Sequence, residues 1–269
     1  PKGGGAIASI GEAFEVRALT GTASLSVPLA APPGRQGFGP NLTLAYDSGS
    51  GQGPFGMGWS LDAPSIMRRT DKRLPTYSRS DTFSLSGAEL VPVDEDELTL
   101  EGHTWKRTRY QPREEGAFDW IEHLRDSTGS WWRVRGRDNT LRTYGRDANA
   151  RTPDPSNPRR IYAWHLQEIR DERGNVAWFS YKHEDGAGVP TAPAEVHRHR
   201  HGGSTWTYLK RVCYGNRTPD LVDPAAALPS EWCFELLFDY GEHTGGSYAE
   251  QVDWAHRPDA FSRYKAGFD

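Results

Sequence analysis

The chain has 269 residues and a nearly balanced charge, with 32 lysines and arginines against 36 aspartates and glutamates, a formal net charge of −4 and an isoelectric point near 6.2. This balance provides no strong field for nucleic acid or for an anionic membrane surface, and the lack of any apolar run of 18 residues excludes a predicted membrane span. Hydrophobic residues make up only 36%, whereas aromatic residues reach 12%, and there are 29 glycines and 19 prolines. This composition predicts an all-β fold of mostly antiparallel hairpins with few short helices.

The first 64 residues are rich in glycine, and residues 65–269 are rich in hairpin patterns. We treat 1–269 as one β module with these two parts. Within the first part, alternation from Thr22 to Leu29 predicts a strand, and Pro28 indicates either an edge strand or the end of a strand. A second strand is predicted over Asn41–Tyr46.

The tract from Asp47 to Trp59 contains a Gly-x-Gly-x-x-Gly match. It lacks Gly-Lys-Ser/Thr, and the residues that follow do not continue as a helix, so neither a phosphate loop nor a dinucleotide site is predicted. We interpret the tract as a structural loop pinned by Phe55 and Trp59. Its motif residues are Gly51, Gly53, Gly56, Gly58 and Trp59.

From Ser65 onward, short strands separated by turn dipeptides recur every 10 to 15 residues. They are predicted near 65–71, 81–93, 97–110, 117–125, 130–136, 140–145, 161–170, 175–183, 193–201, 204–215, 231–240 and 247–255. The stretches Asp147–Arg160 and Gly215–Ser230 are predicted to be irregular, with one helical turn in the second. The acidic run Asp94–Glu97 is predicted to form a hairpin loop.

The most informative stretch runs from Trp164 to Tyr181. Two alternating runs flank the polar turn Asp171–Asn175, in which Gly174 tolerates a positive φ. We expect a hairpin whose large side chains share one sheet face. A hairpin of this kind is typical of a wall and not of an active site.

The sharpest chemical cluster is His197, His199 and His201, which share one face of a predicted strand. Three imidazoles in line fit a tetrahedral metal site poorly, so these residues are weak metal candidates, and a pH-responsive face is an alternative. No catalytic residue, metal or cofactor is predicted. Cys213 and Cys233 lie in strand-like runs, and the sequence leaves open whether they pair.

Several motifs resemble a known family. Trp164-x-Leu-x-x-Ile-x-Asp-x-x-Gly-Asn, followed by Tyr181, resembles the Rhs/YD-repeat unit. The chain more specifically resembles the SpvB-type N-terminal module of bacterial insecticidal Tc toxin B subunits, with several motifs in the same order along the whole chain. The motifs that carry this resemblance are Gly4–Ile7, Gly21–Pro28, Leu44–Gly51, Phe55–Leu61, Tyr208–Arg217 and Arg257–Phe268.

The resemblance implies a structural role in a hollow shell of β-strands that encloses a toxic polypeptide. The implied partners are the remainder of its own chain with propeller and shell strands, the Tc C-type subunit, the encapsulated toxin and, indirectly, the pore-forming A subunit. A secreted, extracellular location in a toxin complex is implied as well, although Pro1–Gly5 is no signal peptide. Because the chain stops in a strand-like run, we expect a fragment of a much longer polypeptide.

Some members of the resembled family carry an ADP-ribosyltransferase at the C-terminus. That activity needs an Arg, a Ser-Thr-Ser strand and a Glu-x-Glu turn. Glu95-Asp-Glu97 matches the last of these by spelling alone, and the chain has no Ser-Thr-Ser tripeptide. We therefore expect this chain not to be an enzyme.

The alternative is a carbohydrate- or host-surface-binding β module. An exposed planar row of Trp131, Trp132, Trp164 and Trp178 would favour it. An enzyme would be favoured by a cleft that joins His197–His201 to carboxylates.

Overall fold

A computed structural model of the chain describes residues 13–17, 21–53, 55–114, 116–183, 207–221 and 228–239, with the backbone alone at 13–17, 52 and 53. Within these ranges the regular structure is strand, apart from two short 3-10 turns at Arg35–Gly37 and Ala148–Ala150. The all-β prediction is confirmed. Contacts divide the described residues between two units, the first drawn from residues 1–32 and 40–63 and the second from residues 33–39 and 64–269.

The first unit is a four-stranded antiparallel sheet with a small separate hairpin, and its strand order is β1-β2-β3-β6. Its strands are β1 (Ala13–Arg17), β2 (Thr22–Pro28), β3 (Thr43–Asp47), β4 (Gln52–Gly53), β5 (Gly56–Met57) and β6 (Trp59–Leu61). The alternating run from Thr22 is a strand as predicted, and it ends at Pro28, which has no backbone N–H to continue the ladder.

The second unit is built around a sheet of twelve strands. They are β7 (Ser65–Arg68), β8 (Phe83–Leu85), β9 (Ala88–Leu100), β10 (His103–Pro112), β11 (Trp120–Arg125), β12 (Ser130–Arg135), β13 (Leu141–Tyr144), β14 (Arg151–Asp154), β15 (Asn157–Arg170), β16 (Val176–His183), β17 (Thr207–Asn216) and β18 (Trp232–Leu237). The strands predicted near 193–201 and 247–255 lie outside the described residues, as does the helical turn expected after Asp223.

Eight of these strands close on themselves. Antiparallel pairing runs from β7 through β8, β9, β10, β11 and β12 to β13, and β15 pairs with both β7 and β13. The Leu166 amide donates to the Pro64 carbonyl at 3.1 Å, whereas the neighbouring His165 carbonyl accepts from Gly145 N at 2.9 Å. Because adjacent residues of a strand direct their hydrogen bonds to opposite edges, β7 and β13 flank β15 on both sides and the sheet closes into a barrel.

Aromatic side chains fill the middle of this barrel. The Phe83 ring lies 5.0 Å from Trp132 and 5.8 Å from both Trp164 and Tyr110, measured between ring centroids. His123 stacks on Trp132 at 4.0 Å with an interplanar angle of 2°. Trp132 and Trp164 are fully buried, so this layer forms the core of the barrel.

The acidic run Asp94–Glu97 lies inside β9 and not in a hairpin loop, which corrects the sequence prediction. Asp96 pairs with Arg107 and Asp94 with Arg109, both on the neighbouring β10. Opposite charges that face each other across two strands stabilise the ladder. The strand therefore continues past the run, and the chain reverses at Glu101 and Gly102, both with positive φ.

The stretch Asp147–Arg160 is also more regular than predicted, because it contains β14 and the start of β15. Judged from the sequence, the prolines of this stretch disfavour a strand. The register between β14 and β15 shifts on both sides of Pro153, so irregular pairing accommodates a residue that cannot donate to the ladder.

The hairpin predicted from Trp164 to Tyr181 is formed by β15 and β16 and is confirmed. The expectation that its large side chains share one face is wrong. Trp178 lies opposite Glu168 and Ile169 lies opposite Ala177, so Ile169 and Trp178 point to opposite faces. Leu166, Gln167 and Glu168 are consecutive and all buried, so side chains on both faces of β15 are buried and strict alternation is not required.

Within the described ranges, no helix combines the length and the apolar character that crossing a membrane requires.

Candidate functional site

The Gly-rich tract is a compact structural loop. Gly58 N donates to Gly51 O at 3.0 Å, and Gly53 pairs with Gly56. At Gly58 φ is +78°, and a Cβ atom there would come within 2.6 Å of the Tyr46 ring. Trp59 packs on that same ring at 5.2 Å between centroids. A strand, β6, follows the loop, so no helix N-terminus is available to hold a phosphate.

The turn of the β15–β16 hairpin is organised by Asp171. Its Oδ1 accepts hydrogen bonds from the backbone N of Arg173 and of Asn175, both at 2.9 Å. Its Oδ2 accepts from Asn175 Nδ2 at 2.7 Å. An aspartate that caps the amides of the following residues fixes a tight turn, as the sequence pattern predicts.

Asn216 of β17 holds this turn from the side, and no local sequence pattern points to it. Its Nδ2 donates to Gly174 O at 2.8 Å, and its Oδ1 accepts from Val176 N at 2.9 Å. Gly174 has φ +75°, and a Cβ there would lie 2.6 Å from the backbone N of Asp220. Glycine is thus required both for the backbone conformation and for the close approach of another chain segment.

Charged residues complete the support of the turn, and we call the set Arg35, Glu168, Arg170, Asp171, Gly174, Asn175, Asn216 and Asp220 the turn clamp. Arg35 Nη1 donates to Asn175 Oδ1 at 3.1 Å and its Nη2 to Asn216 O at 2.6 Å. Arg170 bridges Glu168 at 2.7 Å and Asp220 at 2.8 Å. The contacts link residues far apart in sequence, so the clamp ties the hairpin to the strands beside it.

Trp164 and Tyr181, the two aromatic ends of the predicted motif, each anchor a strand. Trp164 Nε1 donates to Ser130 O at 2.8 Å from a fully buried position. The Tyr181 hydroxyl donates to Leu166 O at 2.6 Å. Tyr181 therefore joins the neighbouring strands β16 and β15, whereas Trp164 links β15 to β12, which lies beyond β13 in the barrel. Both contacts stabilise the strand arrangement.

The row of exposed tryptophans that would favour the carbohydrate-binding alternative is not formed by the four candidates. Trp131, Trp132 and Trp164 are buried, and Trp178 is only half-buried, so they do not form an exposed planar row.

The histidine candidates His197, His199 and His201 lie outside the described residues. Among the residues that are described, no group of three His, Cys, Asp or Glu side chains is placed to hold a metal ion. Cys213 and Cys233 are free thiols, the first half-buried and the second exposed.

The barrel interior contains a polar side chain, His123, to which no sequence pattern points. His123 is buried in the aromatic layer, and neither ring nitrogen has a hydrogen-bond partner in the described part of the chain. Burial, together with the charges of Arg125 and Arg68, holds the pKa of His123 well below its usual value. A neutral imidazole is therefore enclosed beside two cations.

Arg68 extends into the same layer. Its guanidinium carbon lies 5.0 Å from the centroids of Phe83 and Tyr77, within cation–π range. Nη1 bonds Asp81 at 2.9 Å and Nε donates to Ile161 O at 2.8 Å. Burial lowers the pKa of Arg68, and Asp81 opposes that shift.

Comparisons with family models and with known proteins indicate the same family. The family described as Salmonella virulence plasmid 65kDa B protein, SpvB, matches residues 17–269. Mono(ADP-ribosyl)transferase SpvB of Salmonella typhimurium is 34% identical over 292 residues, which covers 100% of this chain and 48% of that protein.

Two solved structures have the same fold. A chain of the Photorhabdus luminescens Tc holotoxin pore is similar with a TM-score of 0.85 and 34% identity, over 100% of this chain and 13% of that chain. The N-terminal domain of effector protein SpvB from Salmonella typhimurium strain LT2 is similar with a TM-score of 0.80 and 33% identity, over 90% of this chain and 82% of that chain.

The prediction that the chain is not an enzyme is contradicted by these relatives. Proteins matched over the full chain are named mono(ADP-ribosyl)transferase, and the chain spans about half of their length. The missing Ser-Thr-Ser tripeptide concerns only the residues of this chain. Activity in a longer protein of the family does not depend on a Ser-Thr-Ser tripeptide within these 269 residues.

The residue motifs and the matches extend over nearly the whole chain, and the described residues have the expected β architecture. The match to the SpvB N-terminal domain includes most of both chains. The chain therefore belongs to the SpvB family, described as Salmonella virulence plasmid 65kDa B protein.

Proposed function

We propose that this chain forms part of a toxin-enclosing β-shell of the Tc type and helps to enclose and deliver a toxic polypeptide. The observation that carries the proposal is the match of the full chain, at 34% identity and a TM-score of 0.85, to a chain of a Tc holotoxin pore. At this identity the likeness extends to sequence as well as fold.

The physical character of the second unit supports a wall. Its strands are joined by backbone ladders, the barrel core is aromatic, and the turn clamp connects three strands through buried hydrogen bonds. A protein wall needs its strands joined along their edges, because unpaired strand edges tend to pair with other chains. The proposed partners are the rest of its own chain, a C-type subunit, the enclosed toxin and, indirectly, a pore-forming A subunit, in a complex secreted from the bacterium.

Protease protection tests the enclosure. The full-length protein that contains this chain is co-expressed with its C-type subunit, and the complex is treated with trypsin. We expect the enclosed polypeptide to survive in the intact complex and to be digested after Gly174→Ala, which disrupts the turn clamp. Gly87→Ala, at a turn with open space around it, is the control and should leave protection intact. A polypeptide digested equally in the unaltered complex would contradict the proposal.

A second candidate function is mono(ADP-ribosyl)transferase activity of the whole protein. It is favoured by the name of relatives that are 34% identical over the full chain. Labelled NAD and a eukaryotic cell extract are incubated with the full-length protein and, separately, with residues 1–269. Transfer of label by the full-length protein supports this candidate, and the second sample shows whether these residues are sufficient. No transfer in either sample would exclude it for that extract.

A further inference from the structure

Two cavities lie on opposite sides of the aromatic layer in the barrel. Successive side chains on one face of a strand are two residues apart, and on β11 Ile121 lines one cavity whereas His123 and Arg125 line the other. The cavity beside His123 and Arg125 has a volume of about 480 Å³, within the usual range for small-molecule sites. We call it the basic cavity.

The basic cavity contains more positive than negative groups. Arg68, Arg79, Arg125 and Arg159 line it together with two carboxylates, Glu95 and Asp126. Arg68 is already paired with Asp81 at 2.9 Å, so Arg79, Arg125 and Arg159 carry the excess positive charge. Glu95 is shared by three cations, since it lies 2.5 Å from Lys106, 3.3 Å from Arg125 and 3.6 Å from Arg79.

The second carboxylate is already engaged elsewhere. Asp126 bonds His103 at 2.9 Å and caps the amides of Thr128 and Gly129. The arginines at the cavity are therefore not fully neutralised by the described side chains around them.

Unused hydrogen-bonding groups lie in the same walls. Neither ring nitrogen of His123 has a partner among the described residues, and the same holds for Arg125 Nε. Buried polar atoms in folded proteins are nearly always paired, so such orphans indicate a missing partner. A neutral imidazole offers one donor and one acceptor, whereas the guanidinium offers donors alone.

Part of the wall is aromatic. Phe83 and Tyr110 line the cavity, and their rings meet edge to face at 5.8 Å. Tyr77 also lines it, with its ring centroid 5.0 Å from the guanidinium carbon of Arg68. An aromatic ring packs favourably on such a surface, while an anionic group attached to it would meet the guanidinium groups.

We propose that the basic cavity binds a small aromatic anion, with a carboxylate or phosphate held by Arg125 and Arg79 and a ring packed on Phe83 and Tyr110. His123 hydrogen-bonds the same ligand through one of its unpartnered ring nitrogens. The proposal is independent of the shell role, since it concerns a cavity of this chain alone.

Calorimetric titration of the 269-residue chain with defined probes tests the proposal. Benzoate and phenyl phosphate carry a ring and an anion, inorganic phosphate has no ring, and benzamidine is the cationic counterpart. We expect both aromatic anions to bind, inorganic phosphate to bind more weakly, and benzamidine not to bind. Of the two aromatic anions, the one that binds more tightly shows whether the cavity prefers a carboxylate or a phosphate. In NMR spectra, the His123 ring signals, assigned with His123→Phe, should shift on binding.

Arginine substitutions locate the site. Loss of a charge-assisted hydrogen bond in Arg125→Gln should weaken phenyl phosphate binding roughly tenfold or more. Arg79→Gln should weaken it to a smaller extent, and its 72% exposed side chain makes a folding defect at this position a minor concern. Arg142→Gln, which lines the other cavity, is the matched control and should bind as the unaltered chain does.

Several results would overturn the proposal. They are no binding of either aromatic anion at millimolar concentration, equal binding of benzamidine, equal binding of inorganic phosphate, or an equal loss in Arg142→Gln and Arg79→Gln. If Arg125→Gln fails to fold, Arg79→Gln decides alone.

Discussion

Asn216 is joined to Gly174 by a buried hydrogen bond of 2.8 Å between its Nδ2 and the glycine carbonyl, across 42 residues of sequence. Its Oδ1 also accepts from Val176 N, the first residue of β16. One amide side chain therefore satisfies a carbonyl and an amide on the two sides of a tight turn. This relationship fixes the position of the hairpin relative to β17.

Asn216→Ala should destabilise the fold. The substitution leaves the buried Val176 N without its partner and removes one of the two hydrogen bonds to Gly174 O, which keeps the bond from Asp220 N. We expect a loss of about 2–4 kcal/mol in the free energy of unfolding. Urea unfolding followed by tryptophan fluorescence measures it. Asn157→Ala is the control, because that side chain accepts only an exposed bond from Arg159 N, and it should change the value by less than about 1 kcal/mol. Equal losses in the two variants would show that Asn216 does not support the turn.

Gly174→Ala should be more harmful than Gly87→Ala, although both glycines have positive φ, +75° and +86°. At Gly87 nothing lies within 4 Å of the added Cβ, so the cost is the left-handed backbone conformation, about 1–2 kcal/mol. At Gly174 the Cβ would also meet Asp220 backbone atoms at 2.6–2.8 Å, and backbone cannot rotate away. The difference between the two variants in urea midpoint measures the steric part, and no difference would contradict it.

The sequence predicts local features of this fold well because they depend on neighbouring residues. Gly174 and Asp171 specify their turn within five positions. The alternation over Thr22–Pro28 specifies a strand, although not that this strand lies between β1 and β3. Asp94–Glu97 was misassigned because a run of carboxylates is unfavourable alone and acceptable only opposite Arg107 and Arg109. These ion pairs depend on the register between β9 and β10, which no local sequence pattern specifies.

The interior of the barrel was beyond prediction for a related reason. His123 is one of several scattered histidines in the sequence, and its burial follows from closure of β15 against both β7 and β13. Closure is a relation among strands up to about one hundred residues apart. Asn216 and Arg35 escaped notice similarly, since their functions in the turn clamp involve residues far along the chain.

Cys213 and Cys233 should both react as free thiols. They lie on paired strands, but Cys213 is opposite Glu235, so they are not direct cross-strand neighbours. Burial, with a smaller contribution from Glu235, raises the pKa of the Cys213 thiol. Exposed Cys233 should therefore be modified first by a thiol reagent at pH 8, and Cys213 more slowly. Cys233→Ser should remove the fast phase only. A dithiothreitol-dependent fall in melting temperature would instead indicate a disulfide.

Glu122→Gln should destabilise the barrel wall. The Glu122 carboxylate is 3% exposed and bridges Arg107 at 2.9 Å and Arg133 at 2.7 Å, and hydrogen bonds and charges from these arginines outweigh burial to lower its pKa. Neutralising it leaves two arginines without this partner, and we expect a loss of about 2–4 kcal/mol. Glu235→Gln removes an exposed partner of Arg211 and should cost below about 1 kcal/mol. Urea unfolding at pH 7 measures both variants, and a loss below that of Glu235→Gln would refute the role of Glu122.

The pH dependence of stability should reveal two histidines, the buried His123 and the half-buried His165. Burial, with the charge of His183, lowers the pKa of His165 from 6.5 to about 4, and burial with the nearby arginines also lowers the pKa of His123. The unfolded chain therefore binds these protons more readily than the folded chain. Their neutral forms support full stability above about pH 6.5, and stability falls as the pH drops below that value.

The size of this effect can be checked between pH 7.5 and pH 5, a window above the range in which carboxylates titrate. Each histidine that stays neutral in the fold should cost up to about 2 kcal/mol at pH 5, since one pKa unit corresponds to about 1.4 kcal/mol. His123→Phe keeps a flat ring on Trp132 but cannot be protonated, so it should lose less stability than the unaltered chain over this window. His103→Phe, at an exposed position, is the control and should retain the steeper dependence. Identical pH profiles for His123→Phe and the unaltered chain would show that His123 is not held neutral by the fold.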